Sequence, residues 1–273
     1  MSLRVPLSAL VGGSLLTASV AAAGAPQVLA AATARAEGRG RTCATPEPTA
    51  EERARLSALQ RAFAQGLTRQ VSGTIQVAFH VIRDGDQGNV PDEQISEQIR
   101  ELNHNFLGTG YRFSLASVDR TDDARWFKLL PGTGDEKHMK EALAIDPAHR
   151  LNVYTVSPGQ GLLGWAYFPF SFPEDNFMHG VVIHYGSLPG GPVVPYDLGR
   201  TLTHEVGHYL GLFHTFQGGC AEPGDYVADT PAEATPNYFC PESRNTCPAT
   251  GDDPIHNYMD YSPDACYTEF TAG

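Results

Sequence analysis

Lysine is almost missing from this 273-residue chain: only Lys128, Lys137 and Lys140 are lysines among its 19 basic residues, and the other sixteen are arginine. Acidic residues number 31, and the formal net charge is −12. That balance excludes nucleic acid and anionic membrane surfaces as partners, since both are held by a positive face. Long clean apolar runs are also lacking. The best, over residues 5–25, is broken by Gly12, Gly13, Ser14 and Ser19, whereas a helical span needs about 20 predominantly apolar residues, so no stable membrane association is expected. Cysteine is scarce, five in all, and no two stand at C-x₂₋₄-C spacing, which argues against a structural thiolate–metal cluster. With 41% hydrophobic and 18% charged residues, what remains is one sizeable globular domain with an N-terminal extension, read as a monomer.

Histidine, by contrast, is concentrated where it matters. The run His204-Glu205-Val206-Gly207-His208-Tyr209-Leu210-Gly211-Leu212-Phe213-His214 places two imidazoles four residues apart, on one face of a helix. Gly211 can adopt a backbone conformation closed to other residues, end the helix and let His214 turn back as a third ligand. Three histidines leave the fourth tetrahedral position of Zn²⁺ open, the mark of a catalytic rather than a structural site. Glu205 follows the first ligand and reaches the open position without ligating the metal, which suits a general base. The H-E-x-x-H-x-x-G-x-x-H pattern is specific enough to outweigh an amphipathic helix that happens to carry three histidines.

The extension reads as two segments. Residues 1–36, with Arg4 ahead of an apolar stretch rich in small residues, have the form of a signal peptide with cleavage after Ala23, Ala30 or Ala36, the alternative being a membrane anchor. Export suits the crowding of Cys220, Cys240, Cys247 and Cys266 downstream of the zinc helix. Residues 37–70 read as a propeptide with one helix over 49–65, opened by Thr49 as a cap and released near Arg69 or Gln70. Cys43 lies in it. Its thiolate is suited to fill the open zinc position and enforce latency; the alternative is a free or intermolecular cysteine.

The catalytic domain spans residues 71–273. β-Branched and apolar patterning predicts strands over 74–82, 111–118, 151–156, 163–168 and 181–185, and helices over 91–106 and 136–143. In the first helix Ile95, Ile99, Leu102 and Phe106 recur at helical spacing. Sheet first, then zinc helix, then Cys/Pro/Gly-rich chain predicts an α+β domain with a cleft between unequal parts. A substrate peptide is expected to add a strand at the sheet edge near 181–185. His80 and His184, in apolar strands, read as structural; His256 is unassigned.

Downstream of the zinc motif stands Asn257-Tyr258-Met259-Asp260-Tyr261. Together the two motifs resemble the metzincin metallopeptidases, most closely the short secreted microbial members of the pappalysin family, over residues 72–271 and most sharply over 198–271. The resemblance implies a twisted mixed sheet with a backing helix, a zinc helix above a cleft, and an irregular disulfide-bonded lower subdomain. It implies that Met259 forms the hydrophobic Met-turn under the zinc and that Tyr261 sits beside the metal to stabilise the oxyanion. Four cysteines allow three connectivities, and the resemblance implies Cys220–Cys247 with Cys240–Cys266. It also implies that Asp225, Asp229 and Thr230 form a structural Ca²⁺ loop, for which an ordinary polar turn is the alternative.

Two departures stand out. Family chains continue past Thr271 into a C-terminal helix, whereas this sequence stops at Gly273, so a truncated C-terminus is expected. An acidic residue that goes with basic substrate preference in some members is Ala265 here, with Asp264 one step away. The function expected is that of a secreted zinc metalloendopeptidase, hydrolysing peptide bonds of extracellular proteins through a water activated by Glu205. The alternative is an inactive, protease-like secreted binding module that keeps its zinc; the presence of Glu205 speaks against it.

Overall fold

The computed structural model describes residues 42–65, 72–247 and 251–273. The proposed signal peptide and both sets of cleavage sites lie outside them. In chain order the elements are β1 (Thr42–Cys43), α1 (Ala50–Ala64), β2 (Gly73–Arg83), α2 (Asp92–Asn105), β3 (Tyr111–Asp122), α3 (Ala124–Phe127), α4 (Gly134–Leu143), β4 (Arg150–Val156), β5 (Leu162–Ala166), β6 (Val181–His184) and α5 (Arg200–Tyr209). The patterned elements fall within a few residues of expectation. The short α3, capped by Asp123 accepting from the backbone N–H groups of Arg125 and Trp126, is too brief to show a period.

The strands form one mixed sheet in the order β1-β5-β6-β4-β2-β3. All neighbours are parallel except β5, which runs antiparallel to β6. Strand β2 is interior, between β4 and β3, and residues 77–82 on it are buried on both faces, as a strand covered on two sides must be. One face packs on α2 through Ile95, Ile99 and Leu102 and on α5 through Leu202 and Val206. The other is closed by Phe127 of α3 and Met139 of α4 against Tyr154, Trp165 and Val182.

The order corrects one expectation. Strand β6 is interior, flanked by β5 and β4, so the stretch near 181–185 offers no edge. Apart from β1, the sheet ends in β5 on one side and β3 on the other, and the N-terminal segment pairs with β5: Thr42 and Cys43 pair with Leu162 and Gly164, and Ala44 N–H donates to the Gly164 carbonyl at 2.9 Å. Helix α1 then starts with a reciprocal capping box, Glu52 N–H to Thr49 Oγ1 and Thr49 N–H to Glu52 Oε2. Glu52 also accepts from the Ser171 hydroxyl of the main domain at 2.8 Å.

Behind β5 lies a fully buried ion pair. Glu136 and Lys140 of α4 meet at 3.0 Å with both side chains inaccessible to solvent. Glu136 Oε1 accepts from the Trp165 indole N–H at 2.7 Å, and Oε2 accepts from the Tyr167 hydroxyl at 3.0 Å and Gly132 N–H at 2.7 Å. Lys140 donates to the Met178 carbonyl. The back of the edge strand is therefore clamped to α4.

After α5 the chain is irregular and is tied by Cys220–Cys247 and Cys240–Cys266, the pairing that the resemblance implies. Its polar core places three carboxylates, Glu233, Asp253 and Asp260, around Arg244, which binds Glu233 and Asp253 directly. Burial pushes Glu233 up to about 8, with the neighbouring Asp260 adding to the rise, and burial raises Asp260 as well.

Two expectations follow from these buried charges. Glu136→Gln should destabilise the fold by roughly 3–5 kcal/mol in urea denaturation, because Lys140 loses its counter-charge, and adding Lys140→Met should recover much of the loss. Equal stabilities for the single and double variants would show that the pair is not coupled. For Glu233, the folded-state pKa lies above the unfolded value, so its contribution is full below the ordinary carboxylate range and is lost as pH rises through about 8. The melting temperature should fall between pH 5 and pH 8.5, and Glu233→Gln should flatten that slope.

Candidate metal centre

Helix α5 carries the first two histidines on its inner face, and all of its residues from Thr201 to Tyr209 are buried. Its N-terminus is secured from outside the helix, where Asp264 Oδ2 accepts from the backbone N–H groups of Leu198 and Arg200. Asp264 is thus part of the helix anchor, and Ala265 beside it is exposed. Helix α5 ends at Tyr209, and Gly211 takes φ 106°, a value strongly disfavoured with a side chain. The reversal brings His214 back over the helix.

The three imidazoles converge. His208 Nε2 lies 3.2 Å from His204 Nε2 and 3.0 Å from His214 Nε2. Orientation is imposed by the backbone: His204 Nδ1 meets the Tyr258 carbonyl and His208 Nδ1 the Leu212 carbonyl, each at 2.7 Å. A carbonyl only accepts, so each Nδ1 carries the proton and each Nε2 turns a lone pair toward the same point. Lone pairs at this separation repel unless a cation lies between them. Metal–nitrogen bonds of roughly 2.0–2.1 Å in a tetrahedron set ligands about 3.3 Å apart. The donor set therefore fits a metal ion, and Cys43 Sγ completes the cluster, all four ligand atoms lying within 4.8 Å of one another.

The chain at Tyr258 and Met259 braces this arrangement. Tyr258 supplies the carbonyl to His204, and the Met259 carbonyl accepts from Thr215 N–H at 3.3 Å. A side chain at Gly207 would collide with Met259 Sδ, so the absence of a Cβ there lets the methionine pass directly beneath the helix. The Tyr258 hydroxyl donates to Asn105, which in turn donates to Thr203, joining the turn to α2 and α5. Tyr261 stands edge-on to His214, with centroids 4.9 Å apart.

Glu205 is fully buried against the edge strand. A Cβ at Gly164 would lie 2.9 Å from Glu205 Oε1, so glycine at that point of β5 admits the carboxylate. Glu205 Oε2 accepts from Cys43 Sγ at 3.4 Å and from the Thr45 hydroxyl at 3.2 Å. Thr45 also accepts from Ala166 N–H at 2.9 Å, and the Tyr261 hydroxyl donates to the Cys43 carbonyl at 3.4 Å. Burial pushes the Cys43 thiol well above its ordinary value, and the Glu205 charge adds to the rise; a bound cation acts in the opposite direction. Thr45 was not anticipated, although its place two residues after Cys43 on an extended segment puts both on one side.

The remaining polar residues sort plainly. Asp225 is buried and accepts from Val227 N–H at 2.9 Å, and burial pushes its carboxyl up to about 7. Asp229 accepts from the Ala272 and Gly273 N–H groups, and Thr230 faces the Thr271 hydroxyl at 3.4 Å. His80 is structural, as expected, bonded to Asp119 and Asn152 and stacked on Tyr154. His256 braces the Cys266 carbonyl at 2.6 Å.

Comparison with known proteins agrees with this geometry. The peptidase M43 family model, described as pregnancy-associated plasma protein-A, matches residues 135–273. Extracellular metalloprotease 1 of Coccidioides posadasii is 40% identical over 283 residues, covering 100% of this chain and 94% of its own. An extracellular metalloprotease of Sordaria macrospora is 41% identical over 266 residues, covering 93% and 91%. Among solved structures, a Tannerella forsythia promirolysin mutant aligns with a TM-score of 0.72 at 29% identity, over 85% of this chain and 91% of that one. Mature mirolysin in complex with a cleaved peptide aligns with a TM-score of 0.64 at 31% identity, over 74% and 88%. The described residues contain no helix long and apolar enough to cross a membrane. Helix, glycine turn, third histidine and Met-turn thus stand in one chain with relatives matched along nearly its whole length, and this chain belongs to the pappalysin family of metallopeptidases.

Proposed function

We propose that this secreted metallopeptidase holds zinc on His204, His208 and His214 and cleaves peptide bonds of extracellular proteins by means of Glu205 and Tyr261. The observation that carries the reading is the chain's own peptide lying across the site, with the Cys43 carbonyl under the Tyr261 hydroxyl and the adjoining residues paired to β5. Zinc, when bound, supplies Lewis acidity, polarising the scissile carbonyl and making the attacking water more acidic. Glu205 takes the proton from that water and passes it to the departing amine. Tyr261 donates its hydroxyl proton to a hydrogen bond with the oxygen on which negative charge develops. The substrate backbone pairs with the outer edge of β5, where β1 lies in the latent chain.

Residues 1–36 act as the signal peptide and 37–70 as the propeptide, leaving 71–273 as the enzyme. Latency has two contacts: with zinc bound, Cys43 would lose its proton and join the three histidines as a ligand, while the Thr45 hydroxyl engages the carboxylate that must otherwise hold water. Both are supported by the cluster at Cys43 and by the Thr45–Glu205 bond. Structural Ca²⁺ is assigned to Asp225, Asp229 and Thr230, supported by the buried Asp225 carboxyl, whose charge a divalent cation would balance.

Glu205→Ala should keep its zinc and lose activity by roughly 10²-fold or more on a quenched peptide, since only the general base is removed. His214→Ala should lose the metal itself. Near-parental turnover by the zinc-replete Glu205 variant would remove that residue from the mechanism. On latency, Cys43→Ala in the full chain should shorten the lag before activity appears, and Cys43→Ala with Thr45→Val should shorten it further. Lag times identical to the parent's in both variants would rule out this segment as the inhibitor.

A further inference from the structure

The two disulfides differ in what stands beside them. Each joins an exposed cysteine to a buried one, Cys240 to Cys266 and Cys220 to Cys247. Cys240–Cys266 also carries an imidazole, with His256 Nδ1 3.6 Å from Cys266 Sγ. Among the described residues no cluster of this kind contains Cys220 or Cys247. The ring is fixed at the sulfur by the backbone. Its Nδ1 meets the Cys266 carbonyl at 2.6 Å, and since a carbonyl only accepts, that nitrogen carries the proton. The His256 carbonyl accepts in turn from Thr268 N–H at 2.9 Å and Glu269 N–H at 3.3 Å, which ties it to the residues that follow Cys266.

A thiolate attacks a disulfide fastest where one sulfur is accessible and the other leaves as a stable thiolate. Both conditions are met in one direction. Cys240 is the exposed member and Cys266 is 2% exposed, while a hydrogen bond from a histidine favours negative charge on a neighbouring sulfur. The incoming thiolate bonds to Cys240 Sγ, the Cys240–Cys266 bond breaks, and its electron pair leaves on Cys266 Sγ beside His256 Nδ1–H. A second thiol then carries the first away as its own disulfide and leaves Cys240 reduced; without it, the Cys266 thiolate reverses the step.

Opening this bond acts on one side only. Asn237 N–H donates to Asp260 Oδ1 at 3.0 Å and the Asn237 side chain to Ser262 Oγ at 2.7 Å, which lays the chain before Cys240 against Tyr261; the Tyr238 and Tyr261 rings lie 5.9 Å apart. Phe239 is 76% exposed, so little apolar packing holds this end besides the disulfide. Cys266 stays in place without it, since its N–H donates to the Pro263 carbonyl at 2.9 Å and Asp264 remains on the N-terminus of α5.

We infer that Cys240–Cys266 is a thiol-exchange site for small thiols of the glutathione class, which join Cys240 while His256 stabilises the departing Cys266 thiolate, and that exchange slows turnover by loosening residues 238–240 beside Tyr261. The effect on turnover rests on the role proposed for Tyr261; the exchange itself does not.

The full chain incubated with reduced glutathione, quenched and digested in acid and mapped by mass spectrometry tests the site. Glutathione should appear on Cys240 roughly tenfold faster than on Cys220 or Cys247, and His256→Asn, which keeps a neutral donor without the ring, should remove most of that advantage. Equal adducts at both disulfides, or a first adduct on Cys266, would overturn the site whether or not the variant folds, and an unchanged rate in folded His256→Asn would overturn the part given to the histidine. For turnover, Cys240→Ser with Cys266→Ser stands in for the opened bond: the enzyme activated from it should cut a quenched peptide roughly threefold more slowly or worse at unchanged zinc content. The parent should slow similarly in glutathione with zinc replenished and recover on dilution. Full turnover in both measurements would overturn the link to Tyr261. A zinc-loaded parent that cuts no peptide would overturn the peptidase reading, on which the adduct map does not depend.

Discussion

Everything around the active centre depends on holding the Nε2 atoms of His204 and His214 about 3 Å from His208 Nε2. That arrangement is electrostatically unfavourable without a cation, so the protein must enforce it from outside the ligand set. Two backbone carbonyls do so, Tyr258 for His204 and Leu212 for His208, each setting a tautomer as well as a ring plane. The Leu212 carbonyl is available because Gly211 has already turned the chain. Tyr258 is available because Met259 can slide under Gly207, where a Cβ would block it. The turn at Tyr258–Met259 therefore orients His204 through its main chain.

The edge strand is the second dependency. A catalytic edge must be ordered enough to guide a peptide yet leave its hydrogen-bonding groups open, a combination that invites unwanted pairing. Here the rear of β5 is clamped by Trp165 and Tyr167 on Glu136, and the front is covered by the chain's own N-terminal segment. A buried ion pair contributes little net stability compared with apolar packing. Its value at this place is orientation, because the carboxylate collects two side chains and one backbone amide around a strand whose neighbours are β6 and the two-residue β1.

The lower subdomain works differently from the upper. It has almost no regular structure among its described residues and relies on two disulfides and on Arg244 shared among acidic groups. Carboxylates outnumber the cation, so protons or divalent ions must balance the rest, and Asp225 is in the same position. The pH sensitivity of the fold is thus concentrated on the side of the cleft that also carries Tyr261 and the Met-turn.

Much of the molecule was readable from residue order alone, because its determinants are local. Spacing by four on a helix, a glycine where φ must be positive, and alternation along strands together predicted α5, the turn at Gly211, the ligand triad and most strands within a few residues. Thr49 as a cap marked the start of α1 for the same reason, while its reciprocal bond with Glu52 is seen only in the structure. Strand order was not readable: 181–185 is as apolar as any edge, and only the antiparallel return of β5 buries it. Nor could the sequence show that Thr45 meets Glu205 at a sequence separation of 160. Local stereochemistry determined which residues could bind a metal. Long-range packing, whose pairings no nearest-neighbour rule encodes, decided that β6 is interior and that the N-terminal segment covers β5 and reaches Glu205.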